Sequence, residues 1–476
     1  MQQTKVIRIL TSLSVQERNR FHRFVHSPFF HVHQPTINFW EAIREYLAQP
    51  NTDELDRERV FEKVFPGEAF HDPKLGTLRN NLLRLLYQFL AVIEMEAKPA
   101  ANRLALLTQL YERKQLALLP ALLNQGFQEL EEQAGINGEK LYAQFRLREF
   151  AHGVGIQGDN RSPNLDGSGV TNRLDAFYLC EKLRYSCAMV NRAMVLSLEL
   201  DERPIRILEE IYPQFAPEKE PLASAYFQIL QLLMEKDSSP TFTEVWEWVK
   251  RFESSFMEDD LINMYGFLIS YSNYQYRQGK MEYIQHTLDL YKSMLRLGLL
   301  FESYMLSSVH YRNMVSLGLM LREFNWTKEF IHTYKDSIDP PFREAAFNHN
   351  LARFYFTQKN YRKALAHLRD VELLDSFDKL SNKQLLLKTY YEVSDTDGFF
   401  PLVTTFRTYL RRNRSISGAE KEAYTNLLIF TRELFYIKSE KRPIDLDQLT
   451  KKIEACKALV DRTWLMEKIK EIRITQ

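Results

Sequence analysis

Apolar residues recur at three-and-four spacing along almost the whole chain, as in Phe21, Phe24 and Val25, or Leu82, Leu83, Leu86, Phe89 and Leu90. That period puts them on one face of an α-helix. Alternating runs of the kind that make half-buried strands, bounded by turn pairs, are missing. Helix starts are marked by side-chain chemistry: Ser14 stands three residues before Glu17 in capping-box spacing, and Pro35, Pro73 and Pro204 sit where a first helical turn accepts proline. The pattern predicts helices of about 12 to 25 residues joined by short turns, and an all-α fold. Gly and Pro number only 16 and 17, which agrees with few tight turns.

Residues 1–97 predict an N-terminal helical bundle: an opening helix, a capped one ending at Ser27-Pro28, "PTINFWEAIREYL", "LDRERVFEKVF" and a long helix after Asp72-Pro73. "EAKPAANR" then marks a boundary. A region of long helices spans 98–157. It is interrupted by "GVGIQGDNRSPNLDGSGVTN", residues 153–172, the one segment rich in Gly, Asn, Asp and Ser; a flexible loop is expected over 158–172. Residues 173–417 predict successive helical hairpins, and 418–476 capping helices.

The clearest hairpin unit is "AAFNHNLARFYFTQKNYRKALAHLRDVELLD", residues 345–375. Ala352 and Ala364 fall where two helices would cross closely, with Leu351, Tyr355, Tyr361 and Leu368 at large apolar positions. The stretch resembles a tetratricopeptide repeat, departing from it where Asn348 replaces an aromatic residue and Ser376 a proline. Asn325-Trp326 precedes Asn360-Tyr361 by 35 residues and marks an equivalent turn. Further turns are expected at Gln278-Gly279-Lys280 and Asp397-Gly398. Stacked units of this kind form a solenoid with a continuous core. The whole chain is also similar to bacterial hypothetical proteins with a helical N-terminal segment and divergent repeats, a likeness that implies no activity.

Composition changes the picture little. The 476 residues exceed one compact core, and the 63 Lys and Arg nearly balance the 62 Asp and Glu, so no net field steers the chain toward nucleic acid or an anionic membrane. From Pro401 onward, 16 basic residues face 10 acidic ones. Cys180, Cys187 and Cys456 form no CxxC pair and suit a reducing cytoplasm as buried residues. Neither a signal peptide nor a run of about 20 apolar residues is evident, so a cytoplasmic protein without membrane insertion is expected.

Four histidines crowd "FHRFVHSPFFHVH", residues 21–33. His22 and His26, four apart on one helix, could share a metal, with His31 or His33 reaching back. Against this, no acidic residue occurs between Arg18 and Trp40 to orient them, and Ser27-Pro28 already explains the stretch as a helix end. The expectation is no metal and no cofactor. "GVGIQG" satisfies GxGxxG as a string but follows a helical pattern instead of a strand. No GxSxG, HExxH, Walker loop or CxxC is present, and no catalytic residue is assigned.

Two binding surfaces remain. Arg407, Arg411 and Arg414, with Arg412 beside them, predict a basic face on a helix near its end, either solvated or suited to phosphate. The repeat resemblance implies a concave groove formed by the first helices of successive hairpins, and its motif places Asn273, Tyr276, Arg277, Arg322, His349 and Arg353 there. That mixture suits an acidic or carboxylate-bearing peptide. The sequence therefore leads to a non-enzymatic scaffold that binds a protein or peptide. The alternatives are a nucleic-acid-associated regulator using the basic C-terminal end and, third, a metal-dependent activity at the histidines.

Overall fold

The computed structural model describes residues 4–48, 56–158, 167–214, 220–235, 239–368, 376–439 and 445–475. The chain divides into two compact units, Met1–Tyr178 and Leu179–Gln476; among the described residues both are all-α, apart from one small hairpin in the second.

In the first unit, α1 (Lys5–Ser12), α2 (Val15–Val25), α3 (Gln34–Ala48), α4 (Arg57–Val64) and α5 (Asp72–Ala97) form a bundle. The long α5 packs against α1, α2 and α3, and α3 against α4. Both halves of the capping box form at α2: Ser14 N–H donates to Glu17 Oε2 at 2.7 Å, and Glu17 N–H to Ser14 Oγ at 3.2 Å. Phe21, Phe39, Trp40, Ile43 and Leu86 are fully buried together, so the apolar stripe read from the sequence is the core face. A separate core joins α6 (Pro99–Glu112), α7 (Leu119–Glu132) and α8 (Gly138–Gly158) through Leu107, Leu119 and Leu147.

The interruption after α8 is shorter than its composition predicts. Residues 153–158 belong to α8, and α9 (Ser168–Leu196) takes up 168–172. Gly153 and Gly155 are therefore helical, which excludes a phosphate loop at GxGxxG. The expected loop otherwise falls on 159–166, outside the described residues. The division between the units lies within α9.

The second unit continues with α10 (Arg203–Ile211), α11 (Pro221–Met234), α12 (Phe242–Phe252), α13 (Glu258–Arg277), α14 (Tyr283–Arg296), α15 (Ser308–Met320), α16 (Phe324–Thr333), α17 (Arg343–Thr357) and α18 (Tyr361–Leu368). It ends with α19 (Ser376–Val393), α20 (Thr396–Arg412), α21 (Gly418–Lys438), α22 (Leu446–Ala455) and α23 (Arg462–Thr475). From α11 to α21 each helix packs against the next, α22 packs against α23, and odd-numbered helices also meet: α11 with α13 and, as a separate series, α15 with α17, α17 with α19, α19 with α21 and α21 with α23. Ala352 and Ala364 are fully buried, on α17 and α18, which pack together.

Five turns of the second unit repeat one backbone device, which also ends α6, α9 and α14 at Lys114, Ser197 and Gly298. The odd helices α11, α13, α15, α17 and α19 are followed by a residue with positive φ: Glu235 (+50°), Gly279 (+93°), Arg322 (+57°), Lys359 (+59°) and Ser394 (+56°). After four of them, the next N–H reaches back five residues, from Lys280, Glu323, Asn360 and Asp395 to the carbonyls of Gln275, Gly318, Tyr355 and Tyr390. These are Schellman ends, which satisfy carbonyls a helix would otherwise leave bare. They also correct the turn register. Arg322 and Lys359 are the equivalent residues, so Asn325 lies inside α16 while Asn360 precedes α18. Gly398 lies in the first turn of α20, where its N–H donates to the Asp395 side chain at 3.0 Å.

The sequence also misses a two-stranded hairpin, β1 (Phe301–Glu302) and β2 (Met305–Leu306), between α14 and α15. Its turn residues Ser303 and Tyr304 both have positive φ, the geometry that usually calls for Asn-Gly.

Candidate functional site

Odd helices α15, α17, α19 and α23 of the second unit border an open, cleft-like cavity of about 530 Å³. Met320, Arg353, Phe356, Lys388 and Trp464 give it an amphipathic wall. The three-and-four spacing of each odd helix turns one stripe to the core and brings the neighbouring one here. Thus Ala352 is buried on α17 while Arg353 borders the cavity.

The charges along this wall are paired. Lys388 Nζ lies 2.9 Å from Asp461 Oδ2, and its ammonium stands 5.2 Å from the Phe356 ring centre and 5.4 Å from that of Trp464. Gln384 donates to the same Asp461 oxygen at 2.6 Å. Deeper, Lys468 Nζ is 2.8 Å from Glu392 Oε1, with side chains only 6% and 8% exposed. Glu471 lies 2.8 Å away on the other side, and Trp464 Nε1–H donates to Glu392 at 3.1 Å. Burial works against the Lys468 ammonium, but the two carboxylates outweigh it and raise its pKa. Mutually satisfied charges in a partly desolvated wall fix side-chain positions, which suits recognition of shape and charge. The lining residues include neither histidine nor cysteine.

Of the six groove residues expected from the repeat motif, Arg353 alone lines this cavity. Asn273 and Arg277 are exposed and Tyr276 half-buried on α13, whereas Arg322 is exposed in the turn after α15, off the helix that was to present it. His349 is a correction. It is 2% exposed and lies 3.2 Å from Asn382 Oδ1 through Nδ1 and 3.2 Å from Ser381 Oγ through Nε2. It is a core histidine joining α17 to α19 and is closed to a groove ligand. Burial, aided by the Arg353 and Arg312 charges, pushes its pKa down to about 4.

The basic face is also shorter than expected. Arg407, Arg411 and Arg412 are exposed on α20, but the helix ends at Arg412, so Arg414 is exposed in the following turn instead of on the helical face. Cys180 and Cys187 are buried, and burial pushes both thiols up.

The histidines separate into two groups. His31 Nε2 is 3.1 Å from the His33 carbonyl, and His33 Nδ1 is 2.9 Å from Thr36 Oγ1. His22 and His26 instead meet Glu41 of α3, whose Oε1 is 3.0 Å from His22 Nδ1 and 3.3 Å from His26 Nε2. The acidic residue absent between Arg18 and Trp40 thus comes from the next position, carried on the next helix. His22's pKa is lowered by burial, with Glu41 opposing and the Arg44 and His26 charges adding to the fall.

No protein family, curated protein or solved structure matches this chain.

Proposed function

We propose that residues 179–476 form a tetratricopeptide-like solenoid whose inner face holds a segment of another protein, and that the chain acts as a cytoplasmic adaptor without catalysis of its own. The observation that carries this reading is the cavity walled by α15, α17, α19 and α23. Serial contact between odd helices from α15 to α23 supports the stacked arrangement there, because each hairpin buries its inner face only against the next. Arg353 supplies a positive edge for a carboxylate, while Met320, Phe356 and Trp464 supply apolar contact. Such a site favours an extended segment with an acidic residue beside a large apolar one.

The test is affinity purification of the tagged full chain from its own cell, with mass spectrometry of stoichiometric partners. A recurring protein should be retained by Arg407→Glu/Arg411→Glu and lost with Arg353→Glu or Met320→Asp, each variant first shown to be folded by circular dichroism. A partner indifferent to both cavity variants overturns the reading. Nuclease-sensitive nucleic acid, released by salt and dependent on Arg407 and Arg411, would replace it with the regulator.

A further inference from the structure

A second site lies in the first unit. His22 and His26 stand one turn apart on α2, and Trp40 and Glu41 reach them from α3. Hydrogen-bond chemistry assigns the tautomers. His26 Nδ1 is 2.8 Å from the His22 carbonyl oxygen; a carbonyl only accepts, so Nδ1 holds a proton, and in the neutral ring Nε2 carries the lone pair. His22 Nδ1 is 3.3 Å from Trp40 Nε1; an indole N–H only donates, so this nitrogen holds a lone pair, which a metal ion would take in place of the indole N–H. Both face Glu41 Oε1, a buried oxygen that accepts no hydrogen bond.

Three such atoms repel one another unless a positive centre lies among them: a proton on an imidazole, the Arg44 guanidinium or a metal ion. Ligands at 2.0–2.2 Å around a tetrahedral zinc ion stand about 3.3 Å apart, and the two contacts to Glu41 Oε1 measure 3.0 and 3.3 Å. The His22 carbonyl behind His26 is the outer partner that orients a ligating imidazole. Arg44 is the competing cation, with Nη1 3.2 Å from His22 Nδ1 and 3.5 Å from Glu41 Oε2. Its side chain is 44% exposed, so a metal ion that displaced it would release it to water. The three candidate ligand side chains are 29 to 39% exposed, so the site lies near the surface.

We infer that His22, His26 and Glu41 form a binding site for a divalent first-row transition ion of the zinc class, with water completing the coordination. Imidazole and carboxylate together suit Zn²⁺, Co²⁺ and Ni²⁺ over Ca²⁺ or Mg²⁺, which prefer all-oxygen shells. The site is independent of the proposed groove.

The test is Co²⁺ titration of chelator-stripped full-length protein, read by visible d–d absorption, followed by displacement with Zn²⁺. One equivalent should bind with four- or five-coordinate spectra. His22→Ala, His26→Ala and the nearly isosteric Glu41→Gln should each weaken binding at least tenfold, while Arg44→Ala retains or tightens it and His31→Ala/His33→Ala leaves it unchanged. Absence of stoichiometric binding overturns the inference, as does equal binding by wild type and folded His22→Ala/His26→Ala, which would assign the metal to other histidines. Circular dichroism verifies the variants, and Glu41→Gln removes charge with little change of volume.

Discussion

Acidification gives a direct test of where His349 sits. The ring is enclosed between α17 and α19, hydrogen-bonded by Asn382 and Ser381, and its pKa is pushed down to about 4 against about 6.5 in an unfolded chain. The neutral ring is the one the fold stabilises. Between pH 6.5 and 4 the unfolded chain therefore binds a proton that the folded chain refuses, and stability falls as pH falls. At 1.36 kcal/mol per unit, a difference of about 2.5 units corresponds to about 3 kcal/mol, fully present above pH 6.5 and lost on approaching pH 4. Carboxylates also titrate here, so the comparison is with His349→Gln, which keeps a donor and an acceptor but takes up no proton. In urea unfolding at pH 7, 6, 5 and 4.5, the variant should lose less stability than the parent, the gap approaching about 3 kcal/mol at the acid end. Histidine labelled at Cε1 gives a second reading, since the resonance missing from His349→Gln should stay at its neutral position until pH falls well below 6. Titration of that resonance near 6.5, or parallel stability loss in both proteins, would refute the burial argument.

Other consequences concern packing and backbone. Lys468→Met leaves Glu392 buried without its partner and should destabilise the second unit by about 3–5 kcal/mol, while Lys468→Met/Glu392→Met recovers most of the loss in denaturant titrations. Because the Lys468 pKa is raised, its contribution is complete below the unfolded value and disappears only in strong alkali, so the result should not change between pH 6 and 9. Gly318→Ala drives a methyl group into Thr327 Oγ1 and to 3.1 Å from Trp326, lowering stability by about 1–3 kcal/mol. Gly153→Ala, with open space around its helical position, should be neutral or stabilising by up to about 1 kcal/mol; equal effects of the two alanines on melting would contradict the packing. Ser394→Gly should raise stability by up to about 1 kcal/mol by relieving its left-handed backbone, and a lowered melting temperature would count against that turn.

Local signals carried the helices. Three-and-four spacing marked the buried stripe of α2 and α5, and Ser14 with Glu17 marked where α2 begins. Pairings across the fold left no local trace. Glu41 reaches His22 only because α3 folds back on α2, so a search for acidic neighbours ending at Trp40 stopped one residue short. His349 and Arg353 are four apart on α17 and were assigned one face; yet His349 meets α19 in the core while Arg353 borders the cavity. The repeated turns were partly hidden because four of the five left-handed residues are not glycine, so the Asn and Gly punctuation pointed beside them. The string GVGIQG shows the converse: glycine within a long helix resembles a loop when only composition is read.

The buried Glu392–Lys468 pair has a consequence for the order of synthesis. α19 leaves the ribosome with Glu392 before α23 exists, and Trp464, which also binds that carboxylate, follows 72 residues later, roughly 4 to 14 s at 5–20 residues per second. During that interval the carboxylate stays hydrated, because burying it alone is prohibitive. The inner face of α19 therefore cannot close when its own hairpin is complete. Hairpins upstream can stack as they emerge, but the last segment must lock in one late step when α23 arrives, and a nascent chain stalled before that point keeps this face wet and open to chaperones.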